Sequence, residues 1–151
     1  MSVCLFLASD IPLPEITPSQ KYPVHIDIDK GTIDDGGADD NYHLLAFDSV
    51  KDYTDKDYAV CLEWNYTDGR AKQIVAYIQT ALQKTDHVEF WNVCLMGYYE
   101  YEDRPYIHEK TISIEELTTE HIKELNDAVI WNTPDRIYPE RPSFYCLTIT
   151  R

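Results

Sequence analysis

The clearest pattern of apolar and polar positions lies in the middle of the chain. A short, β-rich apolar run at residues 59–66 (AVCLEWNY) predicts a largely buried strand. Thr67 and Asp68 follow, and either can cap the helix that apolar residues at helical spacing predict over 70–84. A second run at 88–96 (VEFWNVCLM) predicts another strand. Two strands joined through a helix by short connections are a crossover unit, so we expect them to run parallel in one sheet.

Both ends of the chain also predict strands. Residues 2–8 (SVCLFLA) form a continuous apolar run, which is typical of a central strand buried on both faces. Residues 143–150 (SFYCLTIT) predict a closing strand with alternating faces. Before it, residues 106–114 predict a strand with partial alternation. Next along the chain, the helical spacing of Ile122, Leu125 and Val129 predicts a helix that is capped by Thr118 or Thr119.

Two strand-like segments precede the crossover unit. Residues 24–29 alternate cleanly, so three aliphatic side chains face one way and His25, Asp27 and Asp29 face the other. Residues 42–47 (YHLLAF) form a second candidate strand. We expect these two segments to pair as a hairpin whose long tip is the acidic loop between them.

The order of the predicted elements indicates the fold class. From residue 59 onward the order is β-α-β-β-α-β, which matches a split β-α-β sandwich of ferredoxin-like type. The first 58 residues add two or three strands. A chain of 151 residues is usually one domain with one core. We therefore predict a single α+β domain over residues 1–151, with a mixed sheet and two helices on one face.

The chain is strongly acidic, with 27 Asp and Glu residues against 13 Lys and Arg residues and a formal net charge of -14. Nucleic acids and anionic membrane surfaces attract basic proteins, so neither is an expected partner. A basic protein or peptide is an acceptable partner, because opposite charge accelerates the encounter. The simpler interpretation is that the acids keep the protein in solution.

Apolar run lengths and cysteine spacing indicate the compartment. No apolar run reaches the ~18 residues that a transmembrane helix requires, and the N-terminus lacks the pattern of a secretory signal. The four cysteines, at positions 4, 61, 94 and 146, lie in separate strand-like segments without a C-x-x-C pair. We expect buried free thiols in a reducing compartment, and hence a cytoplasmic protein. A zinc site needs paired ligands and is not expected.

The N-terminal segment matches a known opening. Cys4-Leu5-Phe6-Leu7-Ala8-Ser9-Asp10, followed by Pro12-Leu13-Pro14, resembles the start of a family of small uncharacterised bacterial proteins that begin Cys-Leu-aromatic-aliphatic-Ala-Ser-Asp-x-Pro-Leu-Pro. The specific match covers residues 1–14, and the later order of elements is loosely similar. The resemblance implies a compact bacterial domain without an assigned activity. The family carries a Gly-Cys-rich stretch that this chain lacks near Cys61-Leu62-Glu63-Trp64, so a site built from those cysteines is not carried over.

The acidic region 25–40 is the best candidate for a metal site. Its aspartates lie on a strand and on a Gly-containing loop able to wrap a cation, and clustered carboxylates suit calcium, although the spacing is not that of an EF-hand. A histidine on the same strand face as two aspartates instead suits zinc, manganese or iron. The alternative is a solvated or disordered acidic loop. The candidate ligands are His25, Asp27, Asp29, Asp34 and Asp35.

An aromatic and acidic cluster after residue 97 is the best candidate for a binding surface. Tyrosine suits interfaces because it combines a large contact area with a polar tip. The neighbouring acids favour a partner rich in Lys and Arg. The alternative is that alternate tyrosines pack on the sheet. The predicted binding residues are Tyr98, Tyr99, Glu100, Tyr101, Glu102 and Tyr106.

Catalytic motifs are weak in this chain. There is no G-x-S-x-G elbow, the cysteines lie mid-strand, and the turn at 67–70 has one Gly and an acid, which disfavours phosphate. We predict a non-catalytic binding or regulatory domain that recognises a basic protein or peptide, with no cofactor and with catalytic residues unknown. The alternative is a small metal-dependent enzyme or calcium-binding protein that uses residues 25–40 and a divalent metal. Whether the chain is an enzyme, and its oligomeric state, stay open.

Overall fold

The computed structural model describes residues 3–48, 53–94, 107–127 and 144–151. Ten regular elements lie within these ranges, in an order that begins and ends with a long apolar strand. Their bounds are β1 Val3–Ser9, β2 His25–Asp27, β3 Thr32–Asp34, β4 His43–Ala46, β5 Tyr58–Glu63, α1 Asp68–Ala81, β6 His87–Cys94, β7 Ile107–Ser113, α2 Thr119–Asp127 and β8 Phe144–Thr150.

Six strands form one mixed sheet in the order β4-β5-β1-β6-β8-β7, and β2 and β3 form a separate two-stranded sheet. Every neighbouring pair in the large sheet is antiparallel except β7 and β8, which are parallel. With two helices beside this sheet, the α+β class is confirmed. The central position predicted for the first strand is confirmed as well, because β1 lies inside the sheet and six of its seven residues are buried.

The crossover through α1 joins two parallel strands that are not neighbours. β5 and β6 both pair antiparallel with β1, so they run parallel to each other with β1 between them. Leu7 of β1 stands opposite Val60 on one side and Phe90 on the other, and all three side chains are buried. The β-α-β-β-α-β order along the chain is present, but the ferredoxin-like arrangement is not confirmed. The sequence order of elements left the place of β1 between these strands undetermined.

The predicted hairpin between residues 24–29 and 42–47 is wrong. β2 pairs with β3, placing His25 opposite Asp34, whereas β4 pairs with β5 at the edge of the large sheet. The physical reason is the short turn between β2 and β3, where Gly31 has φ 65 and the Asp27 carboxylate accepts the Lys30 N–H at 3.1 Å. Glycine takes this left-handed conformation at little cost, so a tight hairpin forms before the chain reaches β4.

Both helices pack on the same face of the large sheet, as predicted. The α1 N-terminus is capped by Thr67, whose hydroxyl accepts the Arg70 N–H at 3.1 Å. Helical spacing then directs one stripe of small and aliphatic side chains into the core, and α2 adds two more. The helix side chains buried there are Ala71, Ile74, Ile78, Ala81, Ile122 and Leu125. The predicted extension of the second helix to Val129 lies outside the described residues.

The opposite face of the sheet carries an aromatic cluster. Phe6 lies at its centre, and the centroid of its ring is 5.1 Å from that of Phe47, 5.8 Å from that of Tyr53 and 5.8 Å from that of Trp91.

Three of the four cysteines have described side chains, and all three are free. Cys4 and Cys146 are buried, whereas Cys61 is half-buried. In the described residues, neither helix has the length and apolarity of a membrane crossing.

Candidate functional site

The β2–β3 hairpin forms a sheet separate from the large one and carries most of the exposed large apolar side chains of the described residues. Its register places Ile26 opposite Ile33 and Asp27 opposite Thr32. All of β3 and two of the three residues of β2 are exposed. A two-stranded hairpin is marginally stable by itself in water, so an exposed one must be held by its base or by a partner.

Four aliphatic side chains of this hairpin face solvent. Val24 is 58% exposed, Ile26 68%, Ile28 89% and Ile33 68%, and we call these four residues the apolar hairpin patch. Six large apolar side chains are exposed in the described residues, so this segment holds most of them. Single exposed aliphatic residues are ordinary on protein surfaces, but a cluster rimmed by polar groups is typical of an interaction site.

The surroundings of the apolar hairpin patch are acidic. Residues 24–40 contain six aspartates and one lysine, a net of -5. Asp29 and Asp34 are exposed, Asp27 is half-buried, and no ion pair is formed by these three carboxylates within the described residues. Asp27 and Asp34 instead accept backbone N–H groups, from Lys30 at 3.1 Å and from Gly36 at 2.8 Å. Their charge therefore stays available to a cationic partner.

The base of the hairpin is held by a buried arginine. The Arg70 side chain is fully buried, and its Nη2 donates to Asp35 Oδ1 at 3.0 Å. Its Nε donates to the carbonyl of Ala38 at 2.9 Å, and its Nη1 to that of Asn65 at 2.8 Å. The hydrogen bond from Arg70, helped by the Gly37 N–H, lowers the pKa of Asp35 to about 2. One side chain thus ties the acidic loop to the start of α1.

Two further aspartates of the same loop lie against other parts of the chain. The Asp40 carboxylate accepts hydrogen bonds from the hydroxyls of Ser19 and Tyr22, and that of Ser19 is the larger cause of its lowered pKa. The Asp39 carboxylate lies so close to Gly69 that a Cβ there would be 1.8 Å from Oδ1. Glycine at this position lets the carboxylate approach the positive end of α1.

The structure does not gather the predicted metal ligands. His25 stands opposite Asp34, Asp27 accepts an N–H of the turn, and Asp35 binds Arg70. Among the described residues, no three His, Cys, Asp or Glu side chains are grouped to hold a metal ion. A metal site in this region stays a prediction from the sequence.

The binding surface predicted from the sequence lies outside the described residues. Its residues are Tyr98, Tyr99, Glu100, Tyr101, Glu102 and Tyr106.

Two features of this surface were missed in the sequence. The alternation of residues 24–29 signalled a strand with one apolar side, but alternation cannot tell whether that side meets a core or solvent. Arg70 looked like an ordinary first-turn residue of the helix. A clue was available, because a buried arginine needs a carboxylate partner and several aspartates precede it.

Neither protein-family models, nor curated proteins, nor solved structures match this chain.

Proposed function

We propose that the protein is a non-catalytic binding domain that recognises a basic protein or peptide through the β2–β3 hairpin. One observation carries the proposal: four exposed aliphatic side chains lie on a hairpin whose carboxylates, Asp27, Asp29 and Asp34, form no ion pair within the described residues. The expected partner segment combines aliphatic side chains with Lys or Arg.

The apolar hairpin patch supplies the affinity. Covering an aliphatic side chain contributes roughly 1.5–3 kcal/mol relative to leaving it in water. Ile26 and Ile33 are cross-strand neighbours, so one partner side chain can contact both. Part of the gain is offset by the loss of translational and rotational freedom on binding.

The backbone of the hairpin offers a second kind of contact. β2 and β3 pair only with each other in the described sheets, so each has an outer edge with unpaired N–H and C=O groups. An extended peptide can add to such an edge as a third strand, and main-chain hydrogen bonds then accompany the side-chain contacts. A third strand also stabilises the hairpin itself.

The acidic residues around the hairpin favour a cationic partner over an acidic one and accelerate its association. Asp29 and Asp34 are exposed beside the apolar hairpin patch, and the whole chain carries a net charge of -14. A field of this sign accelerates encounter with a cationic partner and repels an acidic one. This contribution weakens at high salt, because charges in solvent are screened beyond about 10 Å at 0.1 M.

Designed peptides test the proposal directly. The probe is a short extended peptide of alternating Lys and Val, compared with Glu and Val and with Lys and Ser, by fluorescence anisotropy. We expect the first peptide to bind best. Replacing both Ile26→Ser and Ile33→Ser weakens its binding at least about tenfold, because 1.4 kcal/mol corresponds to tenfold.

Val3→Ser is the matched control, since Val3 is 65% exposed but lies in β1 outside the hairpin. It should leave the affinity unchanged. Equal binding by the double hairpin variant and by Val3→Ser would contradict the proposal. So would equal binding of the Lys-Val and Glu-Val peptides at low salt.

We also infer a reducing, cytoplasmic setting for this binding domain. The described thiols are free, and the sulfurs of Cys4 and Cys61 lie 3.4 Å apart in hydrogen-bond contact. Thiols in a cytoplasmic protein are kept reduced. Alkylation in denaturant of protein extracted under acid quench should label every cysteine without prior reduction, and a pair of cysteines that stays unlabelled in the unfolded chain would contradict this setting.

A further inference from the structure

We propose that a cavity beside α1 binds a small amphipathic organic anion, of the class of medium-chain carboxylates. The cavity has a volume of about 470 Å³ and lies between the loop at residues 11–16 and the outer side of α1. Ligand sites for small molecules fall in the range of about 300–1,000 Å³. The site shares no lining residue with the hairpin, and the inference does not rest on the proposed protein-binding function.

The walls of the cavity are fixed before any ligand binds. On the loop side, Pro12 and Pro14 restrict the backbone, and the Tyr77 hydroxyl donates to the Pro14 carbonyl at 2.6 Å. Ile16 closes the loop by exchanging backbone hydrogen bonds with Leu44, at 2.9 and 2.8 Å. A ligand therefore loses little free energy to ordering the site.

The cavity follows the helix and is mainly apolar. Gln73, Ala76 and Thr80 lie at helical spacing along one stripe of α1, so the groove extends about 10 Å along the axis. Ile11, Leu13 and Ile16 face them from the loop. An elongated trough with aliphatic walls suits an unbranched hydrocarbon chain better than a compact polar molecule.

The charge of the lining selects the head group. Lys84 is the one formal charge in the lining, and its ammonium has no carboxylate partner within the described residues. Burial raises the pKa of both Tyr42 and Tyr77, so their hydroxyls are neutral at pH 7. The carboxylate of the adjacent Glu15 accepts the Ala46 N–H at 3.3 Å. In a chain of net charge -14, this leaves one cation beside an apolar trough, which complements a single negative charge.

Titration calorimetry of the full chain with three probes of equal chain length tests this site. Decanoate, decanol and decyltrimethylammonium are each used below their aggregation thresholds. We expect saturable binding of one decanoate per chain, weaker binding of decanol and the weakest binding of the cation. Lys84→Gln should weaken decanoate binding about threefold and leave decanol binding unchanged, as expected for an exposed ion pair.

Two further variants decide whether the cavity is the site. Ala76→Trp fills the trough from an exposed helix position and should abolish decanoate binding. Lys72→Gln removes an exposed lysine of α1 outside the lining and is the matched control, expected to bind like the parent chain. Amide chemical-shift changes on adding decanoate to the parent chain should centre on residues 11–16 and 73–84, which keeps the test independent of whether Ala76→Trp folds. Decanoate binding retained by a folded Ala76→Trp, equal losses in Lys84→Gln and Lys72→Gln, or shift changes centred elsewhere would each overturn the proposal.

Discussion

In β8, Tyr145, Leu147 and Ile149 alternate with residues of the opposite face and are buried beneath the two helices. In the hairpin, Ile26 and Ile33 sit in strands with the same kind of alternation and are each 68% exposed. The difference is what each strand pairs with: β8 has neighbours on both sides, whereas β2 and β3 have only each other in the described sheets. Alternation thus specifies a strand and its two faces, and the sheet it joins decides whether the apolar face reaches a core. At the hairpin, the alternation of apolar residues and their burial disagree, and such disagreement is typical of surfaces that bind other molecules.

The largest loss of stability should follow from replacing Arg70, which joins the loop after the hairpin to α1. Arg70→Met leaves Asp35 and two backbone carbonyls without their donor, and removing one member of a buried ion pair costs about 3 kcal/mol or more of unfolding free energy. Urea unfolding measures the loss. Arg70→Lys is the control, since it keeps the charge but replaces three separate guanidinium nitrogens by one ammonium nitrogen that cannot reproduce their geometry. Its unfolding free energy should lie between those of the parent and Arg70→Met. A loss below about 0.5 kcal/mol in Arg70→Met would contradict the anchoring role.

A matched pair of isoleucine truncations separates the two regions themselves. Ile78→Ala opens a cavity under the sheet, where the side chain is fully buried, and should cost about 3 kcal/mol. Ile33→Ala removes the same atoms from an exposed position and should change the unfolding free energy by no more than about 0.5 kcal/mol. Chemical unfolding of both variants is the measurement. Similar losses would mean that the hairpin packs against the protein like the core.

The ion pair at the base of the hairpin predicts a dependence on acid. The pKa of Asp35 is about 2 in the folded protein against 3.8 in a model compound, so its stabilisation is fully present above pH 3.8 and is lost as pH falls toward 2. After allowance for solvent screening, the effect is at most about 1 kcal/mol. The unfolding free energy of Asp35→Asn should therefore approach that of the parent as pH falls from 5 to 2. A gap between the two that stays constant over this interval would contradict the assigned pKa.

The smallest effect on stability should follow from replacing two of the four residues of the apolar hairpin patch. The double variant Ile26→Ser and Ile33→Ser changes two exposed side chains, and we expect its unfolding free energy to match that of the parent within about 0.5 kcal/mol. Its tendency to self-associate at high concentration should fall, because the exposed apolar patch is made smaller. Sedimentation together with thermal unfolding checks both parts. A much larger loss of stability would show that these side chains support the fold.

Much of the core could be predicted from the sequence because it depends on local periodicity. The run at 2–8 identified a strand buried on both faces, and the spacing of Ile74 and Ile78 identified the buried side of α1. What could not be predicted depends on distant pairing. β1 enters between β5 and β6 through contacts far apart along the chain, and the choice of β3 over β4 as the partner of β2 is set by one tight turn at Gly31.

The candidate site was less predictable than the core for a physical reason. The acids of residues 25–40 were recognised, but their charges are used in different ways: Asp35 is paired with Arg70, and Asp34 accepts a backbone N–H and faces solvent. Composition cannot separate a carboxylate that holds the loop from one that faces solvent. The aliphatic residues between those acids are the stronger signal once their exposure is known.

Hydrogen–deuterium exchange with and without the Lys-Val peptide tests the central claim most directly. Amide exchange slows where a bound strand adds hydrogen bonds or suppresses local opening. If the hairpin is the docking surface, protection on adding the peptide should be confined to residues 24–34, and at the same peptide concentration it should be much smaller in the Ile26→Ser and Ile33→Ser double variant. Protection that falls elsewhere in the chain, or that is equal in the parent and in that variant, would contradict the claim.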